Sequence, residues 1–150
     1  ASDVYKRQYF KKLMKNRPER IELEIEPMEA KVIGDVNQLR FLLENLIDEA
    51  LTVREDGVIR LQARKDNEYI RFLFTDTRRE KSVEELNQLF YPNLARMTSG
   101  EKGELRGTEY LICKQIIRDH DEFAGRRGCR INAEPAEGGG FTVYFTIPRR

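Results

Sequence analysis

The sequence predicts a two-layer α/β sandwich, a mixed β-sheet with helices on one face. Three observations predict it. Apolar residues alternate with polar ones in short runs before residue 35, between residues 58 and 75, and after residue 130, the period of half-buried strands. Between these runs lie stretches whose apolar residues recur at helical spacing. The order of elements reads ββαββααββ, and strands interleaved with helices bury their apolar faces best as one sheet under one helical layer. A chain of 150 residues, 39% of them apolar, supports a single core.

Each element has its own signal. Val4/Tyr5, Tyr9/Phe10 and Leu13/Met14 recur at helical spacing in a basic opening stretch, an amphipathic helix. Residues 1–19 are thus expected as a helical lead-in, the tail of a dimerisation segment or an assembly remnant, since residues 1–8 resemble an adaptor-derived scar. The main domain is expected over 20–150. Ile21, Leu23 and Ile25 alternate with charges, and a second strand is expected at residues 31–34. Asp35 starts a helix, with Gln38 as the other half of a capping box. Leu39, Leu42, Leu43, Leu46, Ile47, Ala50 and Leu51 form its buried stripe. Strands at 58–63 and 69–75 join across Lys65-Asp66-Asn67 as a hairpin. Ser82 and Glu85 cap a short helix running to Phe90. Residues 91–106 are polar, carry Gly100 and Gly103, and are expected to be mobile. A helix over 108–120 and a hairpin of 130–134 with 141–147, turning at Gly138-Gly139-Gly140, complete the chain.

Charge excludes several function classes. Lys and Arg total 27 against 26 Asp and Glu, a net of +1, which excludes a polybasic nucleic-acid binder and an acidic tail. Residues 1–20 hold seven basic and two acidic side chains, a net of +5, so the rest carries −4. No apolar run reaches the length of a membrane span, so no membrane contact by this domain is expected. Cys113 and Cys129 have neither a disulfide framework nor metal-ligand spacing, which points to a reducing cytoplasm and small core residues.

Chemistry concentrates at a few positions. Asn45 and Glu49 stand four apart on one helix face, beside the apolar stripe, where a polar pair edges a cleft. Asp76 ends the strand Ile70-Arg71-Phe72-Leu73-Phe74 and enters a charged loop. A carboxylate there accepts hydrogen bonds from an amine while apolar neighbours stack beneath a flat ring. Each type has a plainer use, since helix-face Asn and Glu are commonly solvated and an Asp after a strand commonly forms a turn. His120, the lone histidine, ends a helix, where the dipole favours a cation or a capping imidazole.

The order of these parts resembles the ATP-binding catalytic domain of sensor histidine kinases, in the superfamily shared with gyrase, Hsp90 and MutL. Gly34-Asp35-Val36-Asn37-Gln38-Leu39 and Leu42-Leu43-Glu44-Asn45-Leu46-Ile47-Asp48-Glu49-Ala50 resemble the N box and its lead-in. Phe74-Thr75-Asp76-Thr77 resembles the first glycine box, Leu89-Phe90-Tyr91-Pro92 the F box, and 114–120 the helix after the second glycine box. Gly139-Gly140-Phe141-Thr142-Val143 through Pro148 resembles the last strand. The resemblance implies a Bergerat-type ATPase fold, with ATP bound by Asp76, Asn45, Glu49, Thr77 and Gly107. It places Mg²⁺ on Asn45 and Glu49 and makes residues 91–106 a lid. It also implies dimerisation and phosphoacceptor helices of the parent protein and a response regulator as partners. The parent is then expected to be a homodimer, membrane-tethered or not, with this domain in the cytoplasm.

Departures from the family pattern fall on the chemistry. The metal-binding asparagine is Glu49 here, the two glycines after Asp76-Thr77 are Arg78 and Glu80, and the second glycine box reads Gly107-Thr108-Glu109-Tyr110. A threonine near the last strand is Phe141. Glycines let backbone approach a phosphate, and acidic side chains oppose it. Two readings of different class follow. The favoured one is a pseudokinase-type module, fold kept and phosphotransfer lost, that signals through its partner helices or binds another ligand; ATP and Mg²⁺ are its cofactors only if the site is functional. The alternative is an active kinase domain passing the γ-phosphoryl of Mg-ATP to a histidine on a separate dimerisation helix, Arg78 or Arg79 replacing the lost backbone donors.

Overall fold

Alternation along five strands decides which side chains meet the helices. The computed structural model describes residues 2–15, 17–26, 32, 34–90, 109–123, 125 and 130–149. Among these the order is α1 (Ser2–Met14), β1 (Ile21–Ile25), α2 (Val36–Ala50), β2 (Gly57–Asp66), β3 (Tyr69–Asp76), α3 (Val83–Gln88), α4 (Glu109–Phe123), β4 (Ile131–Pro135) and β5 (Phe141–Pro148). The sheet runs β1-β2-β3-β5-β4. β1 is parallel to β2 and the other pairs are antiparallel. The parallel pair needs a crossover, and α2 supplies it.

The register puts Ile59, Asp76 and Phe141 side by side, with Leu61, Phe74 and Val143 in the next row and Phe72 opposite Phe145 beyond. This face meets α2 and α4 in one core. Leu42, Leu43, Leu46, Ile47 and Ala50 of α2 are buried there, as the stripe predicts, each large aliphatic contributing roughly 1.5–3 kcal/mol. Cys113 of α4 is fully buried, and its Sγ donates to Leu42 O of α2 at 3.7 Å. The opposite face carries ion pairs such as Arg60–Glu24 and Arg71–Asp66.

Local signals explain the element ends. Asp35 caps α2 by accepting from the N–H groups of Asn37 and Gln38, and Ser82 with Glu85 completes the capping box of α3. Asn67, at φ 56, turns the β2–β3 hairpin, a left-handed conformation that asparagine tolerates. The lead-in is docked rather than separate: Phe10 is buried in the core, and Tyr9 donates its hydroxyl to Asp48 at 2.7 Å.

Two expectations need adjusting. Of the strand expected at 31–34, Val32 forms one antiparallel bridge with Arg149 and Gly34 lies in a bend; residues 31 and 33 fall outside the described residues. The helix expected to stop at His120 continues to Phe123. Asp121 and Glu122 supply no glycine to break it, and the chain turns at Gly125 (φ 66), whose N–H donates to Glu122 O at 3.0 Å.

Candidate functional site

Asp76 closes β3 on the core face, between Ile59 and Phe141, and is 1% exposed. Both oxygens of its carboxylate are engaged by the residue two places on. Arg78 donates its backbone N–H (3.0 Å) and Nε (2.8 Å) to Oδ1, and Nη2 to Oδ2 at 2.9 Å. The Arg78 side chain is itself 0% exposed. Its remaining donors reach the chain that follows α2: Nη1 to Val53 O (3.0 Å) and Glu55 O (3.4 Å), Nη2 to Ala50 O. A guanidinium has five N–H donors, and all five are matched here.

Two glycines make room for this arrangement. A Cβ on Gly57, at the start of β2, would collide with Arg78 Cγ. A Cβ on Gly140, where φ is 78, would collide with the backbone oxygen of Asp76. The first lets the arginine stem pass and the second lets β5 close on the strand end.

Around this pair stand the other sequence-predicted residues. Glu49, on the last turn of α2, accepts from Arg79 Nη2 at 3.3 Å. Arg79 Nε lies 4.0 Å from Asp76 Oδ2 and, buried, has no hydrogen-bond partner among the described residues. The Arg79 guanidinium and the Lys81 ammonium both lie over the Phe141 ring, at 5.7 and 5.8 Å. Asn45 turns back on its own helix, its Nδ2 donating to Phe41 O at 3.0 Å. Thr77 fastens β2, its Oγ1 accepting from Val58 N at 3.1 Å and donating to Val58 O at 3.0 Å. The structure thus brings Asp76 and Glu49 together through Arg79, and leaves Asn45 and Thr77 bonded elsewhere. Gly107, the expected lid at 91–106 and Cys129 lie outside the described residues.

Tyr110, in the first turn of α4, is 4% exposed and packs edge-to-face on Phe90 at 5.6 Å. Burial pushes its hydroxyl pKa far above the usual phenol range; the Glu49 carboxylate adds to this and the Arg79 guanidinium opposes it. Sequence reasoning marked Tyr110 as a departure, and it missed that Arg78 would be wholly buried. The only sequence signal for that burial was Gly57, a strand-opening glycine beside which a long stem can pass.

Residues 34–150 match the model of the histidine kinase-, DNA gyrase B- and HSP90-like ATPase family. The chain belongs to that family. Among solved structures it is similar to a nucleotide-free catalytic domain of the histidine kinase ThkA, at 22% identity over 99% of this chain and 89% of that one, TM-score 0.72. It is similar to the mycobacterial sensor histidine kinase MprB, at 19% identity over 99% of this chain and 94% of that one, TM-score 0.69. A complex of ThkA with the response regulator TrrA gives 21% identity over 99% of this chain and 39% of that one, TM-score 0.69. No curated protein matches. At these identities the likeness is one of fold: the mixed sheet under one helical layer is that of histidine kinase catalytic domains. No helix of the described residues is long and apolar enough to cross a membrane.

Proposed function

We propose that this histidine kinase-like ATPase domain serves signal transduction with its nucleotide site closed by its own side chains. It then acts through contacts with its parent's dimerisation helices and a response regulator, not through phosphoryl transfer. The observation that carries this reading is the Asp76–Arg78 pair. The carboxylate that the family resemblance assigns to the adenine amine already accepts three hydrogen bonds from Arg78.

ATP and Mg²⁺ do not fit the residues present. Glu49, the candidate metal ligand, holds a guanidinium that competes with any cation, and the Asn45 Nδ2 donates to Phe41 O of its own helix. Glu109 stands where the family resemblance places the second glycine near phosphate, and beside it Tyr110 adds the bulk of a buried ring. Nucleotide binding at Asp76 would require Arg78 to withdraw and exchange a buried, doubly bonded guanidinium for a neutral amine, which is costly.

The test is a thermal melt with Mg-ATP. A site with a Kd of about 0.1 mM would gain about 1.4 kcal/mol at about 1 mM ATP, a rise of roughly 3–6 °C in Tm for a domain of this size. The expected result is no rise. A rise of that size, abolished by Asp76→Ala, would return the domain to the active class.

A further inference from the structure

We infer that the Asp76 pocket is a guanidinium-binding site which the chain fills from within, and that removing the Arg78 side chain turns it into a receptor for a free planar cation. The inference rests on the reading above only in its starting point, that Asp76 holds Arg78 and not a nucleotide.

The lining decides the ligand class. One carboxylate and the carbonyls of Ala50, Val53 and Glu55 converge on the guanidinium. All are acceptors, and the bonds to the carboxylate oxygens, Ala50 O and Val53 O are partly shielded from solvent. Arg79 Nε borders Asp76 Oδ2 at 4.0 Å, but the groups that contact the guanidinium are all acceptors. Such contacts select a ligand rich in donors, a requirement that a flat fork with five N–H groups meets. An aromatic amine offers two donors and an ammonium three in the wrong geometry. Ala50 is the last residue of α2, so the pocket also sits at the negative end of a helix dipole, which favours a cation. The opening at Gly57 is shaped for the stem that delivers it. The pair therefore clips the end of β3 to the chain leaving α2.

Chemical rescue tests this directly. Arg78→Ala removes the fork and leaves Asp76 buried without it, and Tm is expected to fall by roughly 6–20 °C. Guanidinium chloride at about 20 mM denatures by well under about 1 °C. For a Kd of about 5 mM it is expected to raise the Tm of Arg78→Ala by about 2–4 °C. Sodium chloride and urea at equal concentration, the first matched in ionic strength and the second in shape without charge, should leave the variant unmoved, and guanidinium should leave the wild type unmoved. A variant as stable as wild type overturns the inference, as does a guanidinium response that is absent or shared by the wild type. Arg78→Lys keeps the cation without the fork, which covers the case in which Arg78→Ala does not fold. It is expected to melt below wild type with no guanidinium response, and wild-type stability in this variant overturns the inference. The functional reading is tested on the wild-type chain with Mg-ATP and the pocket on Arg78→Ala with guanidinium and no nucleotide, so the two failures are distinguishable.

Discussion

His120 Nε2 accepts the backbone N–H of Asp35 at 3.0 Å, while Nδ1 lies 2.8 Å from Ile116 O. A backbone N–H only donates and a carbonyl only accepts, so the proton of the ring belongs on Nδ1. The lone histidine is therefore a bracket from α4 to the residue that caps α2. It sits 5% exposed in the last turn of α4, and its role is structural although the helix does not end there as expected.

Loss of the bracket should lower stability. His120→Ala leaves the Asp35 N–H without its partner and is expected to cost about 1–3 kcal/mol. Gly34→Ala should act in the same direction from the other side, because its Cβ would come within 2.9 Å of the imidazole Cδ2. Urea denaturation measures both. Wild-type midpoints in the two variants would show that the ring does not hold the start of α2.

A second buried contact lies on the far face of the sheet. Thr75 and Thr142 are register partners on β3 and β5, each 7% exposed, and their hydroxyls meet at 2.8 Å. Removing one hydroxyl strands the other, so Thr75→Val or Thr142→Val alone should cost about 1–3 kcal/mol, whereas the double variant should be close to neutral. A double variant whose loss equals the sum of the singles would mean that the two hydroxyls do not act as a pair.

These contacts mark how far the sequence could be read. Local signals were legible: the stripe from Leu42 to Leu51, the Ser82–Glu85 box, and the apolar strand that Asp76 ends. Each rests on residues a few positions apart, where helical or strand period alone fixes direction. The long-range partners were not legible. Arg78 follows a strand in a charged run and reads as solvated, yet its donors find carbonyls 23 to 28 positions away. His120 finds its partner 85 positions away. The glycine losses pointed to the right place because glycine bears on local backbone. They did not reveal that an arginine would fill the space, which depends on Gly57 and on the chain after α2.

The buried phenol of Tyr110 makes stability fall at alkaline pH. Below pH of about 10 both folded and unfolded chains keep this proton, and the group has no effect on the balance. Above it the unfolded phenol ionises first, while burial and Glu49 hold the folded one protonated. Stability should then fall by about 1.4 kcal/mol per pH unit from this residue. Tyr110→Phe removes that part of the slope. Urea midpoints between about pH 9 and pH 11 should therefore decline less steeply in the variant, and parallel declines would contradict the assignment.

The Asp76–Arg78 pair should show strong coupling in a double-mutant cycle. Asp76→Asn leaves a guanidinium with 0% exposure facing a neutral amide, and Arg78→Met leaves a carboxylate with 1% exposure facing a thioether. Breaking a buried pair from one side typically costs about 3–5 kcal/mol, most of it the penalty of the charge left behind. The double variant leaves no charge behind, so it should lose much less than the sum of the two singles. A coupling energy of roughly 2 kcal/mol or more is expected from denaturant midpoints with unchanged m-values. Additive losses would mean that Arg78 is held by the carbonyls after α2 alone and that the Asp76 carboxylate is open to another partner.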